Sequence, residues 1–424
     1  MKWKHGFIWV LILMQVSCRK EYSAPVPDTG WPLFDTPGAS ELARQSRKAM
    51  EGVYQVSEGS ADFGNLVVLK WSFENEGTDT SYNLSIFCEK DVAYFDLQGK
   101  VLGDSIIFNG YWRRLVNTQT GISRFSIRSV DGARQLLSPA PVIGKDSIVI
   151  NGMIGNDQEI PSRRLVFKYI RPLHTGNGFE ILAHRSGGRT SDLLPFSENS
   201  IGIIKYASQL GATGIEIDIR LTSDGVPILY HDNTLNLRLV RKSGLGGGIE
   251  NYSYAQLTYA VSLIDGQKIP TLRQALETVL NNTNLDFVWL DTKYNHSLAV
   301  LRDLQSEYLA KAKARGRSLE IVIGLPGDEQ LAEFKELPHD DTIPSLCELS
   351  VADVEDINAR VWAPRWTLGL QDDLVKQVQA EGRRVIVWTL DEPSYISQFI
   401  EQGSFNGILS NYPSLIAYNY YVKE

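Results

Sequence analysis

The sequence predicts two folds in tandem: an all-β stretch forming a barrel or sandwich, then a β/α alternation that runs to the C-terminus. Three observations carry this. The chain has 424 residues, more than one domain usually holds. From Gly52 to Ile170, short alternating apolar segments are divided by turn residues, a strand pattern without intervening helices. From Gly178 onward, apolar runs of strand length alternate with stretches of helical period, which fits an eight-stranded β/α barrel or an open doubly wound sheet.

Taken in order, the chain opens with Lys2 and Lys4 before an apolar run from Phe7 to Met14. That run is too short to span a bilayer and reads as the core of an export signal. Cys18 follows Val16-Ser17 and is similar to the lipidated Cys of bacterial lipoprotein signals. The resemblance implies a signal over residues 1–18, a membrane anchor at Cys18, and a periplasmic or outer-membrane location; simple secretion stays open. Residues 19–39 are rich in Pro, Gly, Asp and Ser and read as a linker.

Ser40 is expected to cap a helix reaching about Met50. Strands follow at Leu66 to Phe73, Tyr82 to Phe87, Val92 to Leu97, Ser105 to Trp112, Arg124 to Ile127, Ser147 to Ile150 and Leu165 to Ile170. Asp104-Ser-Ile-Ile-Phe-Asn-Gly recurs as Asp146-Ser-Ile-Val-Ile-Asn-Gly, a weak repeat suited to a meander of hairpins. This all-β domain, 40–172, contains no catalytic cluster. Cys88 and Cys347 fall one in each half and are expected as separate buried thiols.

The chemistry gathers between Ile181 and Asp232. The period of two along Gly214-Ile-Glu-Ile-Asp-Ile-Arg puts Glu216 and Asp218 on one face and Ile215, Ile217 and Ile219 on the other. Two carboxylates on a mostly apolar face repel and desolvate badly, so a cation is expected between them. Asp224-Gly225 reads as a tight turn that folds Val226 to Tyr230 back and returns His231 toward the pair. His184 ends the preceding strand, with Arg185 beside it. Singly each residue is ordinary; together they are hard to place in a core.

At these positions the sequence resembles the glycerophosphodiester phosphodiesterase family. The resemblance is carried by His184-Arg185, by Ser197-Glu198-Asn199-Ser200 against the family's Pro-Glu-Asn-Thr, and by Glu216-Ile217-Asp218, Asp224-Gly225-Val226-Pro227 and His231-Asp232. Later, Asp291-Thr292-Lys293 resembles the family's Glu-x-Lys, and Val387-Trp388-Thr389 its Val-Trp-Thr. The resemblance covers residues 178–424 and implies a TIM barrel, selecting it over the open sheet. It also implies a divalent cation, Ca²⁺ or Mg²⁺, held by Glu216, Asp218 and Asp291. His184 and His231 become the general acid/base pair, and Arg185, Lys293, Trp388, Glu198 and Asn199 the substrate or phosphate contacts.

The implied reaction is hydrolysis of a glycerophosphodiester to glycerol 3-phosphate and an alcohol. Which His is base, and whether water or a neighbouring hydroxyl attacks, stays open. Two rival readings remain: an exported non-catalytic binding lipoprotein, and a phospholipase D or phosphoinositide-type phosphodiesterase on the same barrel. A net charge of -8 argues against a nucleic-acid surface and leaves a small phosphodiester as the expected partner. Three departures stand out: Ser186 replaces the family's Gly, the loop to Glu198 is long, and Asn406 to Pro413 replaces two late Asp residues with Asn.

Overall fold

Short apolar segments parted by turns give the first half a closed sheet in the computed structural model, which describes residues 22–424 apart from residue 177. The expected signal and the lipidated Cys18 lie outside the described residues. The strands are β1 (Gly52–Glu58), β2 (Leu66–Glu76), β3 (Asp79–Cys88), β4 (Ala93–Leu102), β5 (Ser105–Arg114), β6 (Thr120–Ile127), β7 (Val149–Ile154) and β8 (Arg163–Arg171). Each pairs antiparallel with the next, and β8 returns to β1, so no edge is left open within the ring. Along β4, Phe95 and Leu97 point into the ring core, while Tyr94 points out toward the second half. Phe95 and Phe125 meet edge-on inside, 5.7 Å apart.

The region is β-rich with short helices at Arg44–Met50, Ser60–Phe63 and Ala133–Leu136. Ser40 does not cap the first of these; Ser40–Glu41 pairs with the end of β4, and the helix begins after Ala43 without a side-chain cap. The stretch expected as a free linker is docked from residue 22 on. Phe34 is buried, Asn109 donates to the Thr29 carbonyl at 2.8 Å, and Arg113 to that of Pro25 at 2.8 Å. Cys88 and Cys347 are free, buried thiols.

The second half is a TIM barrel. Its parallel strands are β9 (Glu180–Ala183), β10 (Gly214–Leu221), β12 (Phe287–Thr292), β13 (Glu320–Leu325), β14 (Ser345–Cys347), β15 (Val361–Trp362), β16 (Arg384–Val387) and β17 (Gly407–Ser410). β9 pairs with both β10 and β17, which closes the circle. The expected hairpin strand, β11 (Pro227–Leu229), runs back along β10 after a turn whose Gly225 has φ 76°.

Side-chain parity then sets the layers. Inward positions Leu182, Phe287, Trp289, Val322, Leu346, Ile386 and Leu409 fill the barrel, and outward positions such as Ile215, Ile217 and Val288 pack under the helices. β10 adds no apolar side chain to the interior because its inward residues are Gly214, Glu216 and Asp218. A Cβ at Gly214 would stand 2.6 Å from Phe287 Cβ, so the tight approach of β10 to β12 requires glycine there.

The two halves share one core. Val53, Val68, Phe87 and Tyr94 of the ring lie in the same apolar cluster as Leu210, Ile416 and Ala417 of the barrel. Tyr206 binds the hydroxyls of Tyr94 (3.0 Å) and Tyr111 (2.6 Å) across the seam.

Candidate active site

Continuing the inward parity toward and past the C-terminal end of each strand generates the mouth of the barrel. His184 lies two residues beyond Leu182, Asp218 two beyond Glu216, and Asp291 two beyond Trp289. The register of the parallel pair places Asp218 directly beside Asp291. Ligand oxygens of Glu216, Asp218 and Asp291 lie within 4.8 Å of one another, and all three residues are buried. Among the described residues, one oxygen of each carboxylate, Glu216 Oε1, Asp218 Oδ1 and Asp291 Oδ1, has no hydrogen-bond partner, although that of Asp218 faces the Lys293 ammonium.

Buried carboxylates left this way are costly, and their protonation shows it. Burial, with the charges of Asp218 and Asp291, pushes the Glu216 carboxyl well above its usual range. Burial also raises Asp291 against the pull of Lys293. Asp218 moves the other way: burial is outweighed by Lys293, His231, Arg185 and His184, in that order. The Lys293 ammonium bonds Asp291 and lies 3.2 Å from Asp218 Oδ1. Three acidic oxygens converging in a dry pocket suit a hard divalent cation, which takes oxygen ligands. The donor set therefore fits the ion that the sequence implied.

Both histidines act on this cluster and have different partners. His184 Nδ1 is 2.8 Å from Asn411 Oδ1, and Asn411 Nδ2 donates to Asp391 at 2.6 Å. The amide is thus fixed with its oxygen toward the ring, so Nδ1 carries the hydrogen and Nε2 faces Glu216, 3.8 Å from its Oε2. Burial, then the Arg185 charge, lowers the His184 pKa to about 4. His231 Nδ1 instead contacts the Asp232 carboxylate at 2.7 Å. Asp232 is held far below the ordinary carboxylate range: its partial burial is outweighed by hydrogen bonds from Arg238, His231 and Asn236.

The glycerophosphoryl diester phosphodiesterase family model matches residues 184–323, the stretch that contributes both histidines, all three carboxylates and Lys293. Over these residues the barrel matches this family. Glycerophosphodiester phosphodiesterase 1 of Mus musculus is 30% identical over 156 residues, 36% of this chain and 44% of that protein. The chain thus spans under half the length of this mammalian relative. A glycerophosphodiester phosphodiesterase of Caldanaerobacter subterraneus is 21% identical over 245 residues, 56% of this chain and 95% of that protein. Among solved structures, a glycerophosphodiester phosphodiesterase from Parabacteroides distasonis is 24% identical with TM-score 0.45, covering 56% of this chain and 95% of that one. A phosphodiesterase from Oleispira antarctica, solved with the product sn-glycerol-3-phosphate, is 21% identical with TM-score 0.42, covering 55% and 94%.

Within the barrel, two expected substrate contacts have other work. Glu198 is buried, receives Arg185 at 2.8 Å and Arg238 at 3.0 Å, and accepts the Thr190 amide at 2.7 Å. A carboxylate so enclosed repels phosphate and instead fixes Arg185. Asn199 is likewise turned inward: Nδ2 donates to Asp218 at 2.7 Å and Oδ1 accepts its backbone amide at 3.1 Å, so it orients an acidic residue. Arg185 keeps a buried Nε without a partner, and Lys293 is partly exposed at the mouth. Trp388 stands at the rim, its Nε1 donating to the Ala363 carbonyl at 2.8 Å and its ring facing the Arg365 guanidinium, 4.9 Å from the centroid.

The family departures also acquire places. Ser186 is fully buried at φ 69°, a left-handed conformation that the family's Gly adopts freely. Asn411 touches His184 itself, so this replacement of a late Asp bears on the candidate site as well as on barrel closure. Glu348 and Arg365 escaped the sequence reading. Glu348 lies two residues beyond inward Leu346, and burial plus the Asp291 charge raises its pKa well above normal. Counting by two past each strand would have found it; no motif marks it.

Proposed function

We propose that the protein is an exported phosphodiesterase that uses a divalent cation, Ca²⁺ or Mg²⁺, to hydrolyse a glycerophosphodiester to glycerol 3-phosphate and an alcohol. One observation carries the reading: three buried carboxylates bring ligand oxygens within 4.8 Å of one another, beside two histidines whose Nδ1 atoms are already occupied. Glu216, Asp218 and Asp291 would hold the cation, which supplies charge neutralisation for a phosphoryl oxygen. The match of residues 184–323 to the family model supports the substrate class. The lipoprotein-like Cys18 supports attachment at a membrane outside the cytoplasm.

The chain's own residues divide the remaining work. Arg185, oriented by Glu198, and Lys293 present positive charge to the anionic diester. His184, neutral at working pH and holding its proton on Nδ1, offers the Nε2 lone pair to remove a proton from the attacking hydroxyl. His231 is backed by a permanent anion. Asp232 compensates the imidazolium charge, the form able to give its Nε2 proton to the leaving alkoxide.

The test is a coupled assay for glycerol 3-phosphate after incubation with glycerophosphocholine, glycerophosphoethanolamine and glycerophosphoinositol. Release from at least one, abolished by chelator, is expected. Release of a phosphorylated head group with free glycerol would overturn the assignment of the cleaved bond.

A further inference from the structure

We propose that Arg113, from the β-rich ring, is a positioning residue for the barrel's first catalytic loop, so that the ring is a working part of the site. The inference rests on the phosphodiesterase reading for its kinetic consequence, though not for its structural one.

The loop from Arg185 to Ser200 carries Arg185 at one end and Glu198 and Asn199 at the other. It is not a relaxed segment. Arg185, Ser186, Leu193 and Asn199 all have positive φ, between 52° and 69°, where side chains other than Gly are disfavoured. Such a backbone persists only where its surroundings hold it. The barrel holds the ends: the Arg185 amide donates to Glu216 at 2.7 Å, and Asn199 is tied to Asp218.

In the middle, the barrel reaches Asp192 through the Tyr412 hydroxyl at 3.3 Å and Ser197 through Asp265 at 2.8 Å, but the carbonyls of the strained turn at Leu193 are reached from outside it. The Leu193 carbonyl accepts from an Arg113 amino group, and the Leu194 carbonyl accepts from the Tyr22 hydroxyl. Among the described residues no other group donates to either carbonyl. Arg113 also grips the Pro25 carbonyl at 2.8 Å, clamping the leading segment and the loop together.

The environment of Arg113 makes a passive role unattractive. Its side chain is 0% exposed, and among the described residues its Nε has no hydrogen-bond partner and it forms no ion pair. A guanidinium buried without a counter-charge is costly, and an apolar residue would suit the seam better if packing alone were needed. What it supplies is a rigid fork reaching two backbone carbonyls on separate segments. Leu193 is five residues from Glu198, the carboxylate that fixes the Arg185 guanidinium, so freeing Leu193 loosens that contact.

Arg113→Met keeps the bulk and removes the fork. Deuterium exchange over residues 187–199 should accelerate roughly tenfold or more, with the barrel strands unchanged. Because a displacement near 1 Å in a positioning element can cost on the order of 10²-fold, kcat should fall about 10- to 100-fold with KM changed little. Arg113→Lys should recover part of the loss, and added guanidinium should partly rescue Arg113→Met. Unchanged exchange in the folded variant overturns the inference. If Arg113→Met does not fold, Tyr22→Phe, which deletes one hydroxyl, is read the same way. Faster loop exchange supports the inference and unchanged exchange refutes it. Should the unmodified protein fail to cleave any glycerophosphodiester, the functional reading falls, while the exchange measurement still decides the role of Arg113.

Discussion

Replacing His231 by Ala should damage turnover in proportion to how badly the leaving group needs a proton. His231 Nδ1 is bound to Asp232 at 2.7 Å, and Asp232 is itself fixed by Arg238 at 2.7 Å and Asn236 at 2.7 Å, so the ring has one orientation and a compensated charge. General acid catalysis is typically worth about 10² to 10⁴-fold, or roughly 3 to 5 kcal/mol of barrier. With a choline or ethanolamine ester, whose alkoxide is a poor leaving group, His231→Ala should lose within that range in kcat. With a p-nitrophenyl ester of glycerol phosphate, which leaves without protonation, the loss should shrink to about tenfold or less. Asp232→Asn should show the same pattern at smaller amplitude. It leaves the ring in place and removes the charge, and its amide nitrogen opposes the donors of Arg238 and Asn236. The assay is steady-state kinetics on both esters. Equal losses on the two would show that His231 does not protonate the leaving group, and the division of labour between the histidines would have to be abandoned.

His184→Ala should instead lose about 10² to 10⁴-fold on both esters, because the attacking hydroxyl needs its base whichever group departs. With a pKa lowered to about 4, His184 is neutral above that value and protonated below it, so kcat/KM should stay flat from neutral pH to about 5 and fall only as pH drops through about 4. A limb near 6.5 would mean that the base is not this buried histidine. Asp291→Asn should weaken cation affinity strongly in a calorimetric titration while Asp291→Glu retains it; identical titration of Asp291→Asn and the unmodified protein would remove Asp291 from the ligand set. A barrel beginning near Thr175 should not yield a soluble, stable monomer, since it would expose the apolar surface around Leu210 and Ala417 that Val53, Val68 and Phe87 cover. A well-behaved, active truncation would show that the shared core is dispensable.

Local pattern made much of this legible. Parity on Gly214 to Arg220 placed Glu216 and Asp218 together, and the Asp224-Gly225 turn brought His231 back to them. The alternating segments of the first half correspond to the ring, with strands that run longer than their apolar cores suggested because hydrogen bonding continues past the last buried residue. What stayed hidden depends on contacts distant in sequence. Nothing around Asn411 indicates that it faces His184 across the barrel, and Glu198 and Asn199 looked like substrate contacts until burial turned them toward Arg185 and Asp218. The segment 22–39 has a linker's composition, yet it is held through its backbone carbonyls, which composition does not report. Glu348 lies outside every matched motif and is visible only once the register of β14 is known.

A cation held by Glu216, Asp218 and Asp291 would support cleavage of the bond between phosphate and the head-group alcohol. Phosphorus NMR of the full-length protein with glycerophosphoethanolamine, after chelation and then during stepwise return of Ca²⁺ or Mg²⁺, tests it most directly. The diester signal should persist in chelator and convert to glycerol 3-phosphate as the cation is restored, with Asp218→Asn silent throughout. Full conversion in excess chelator, or conversion to phosphoethanolamine, would contradict the account.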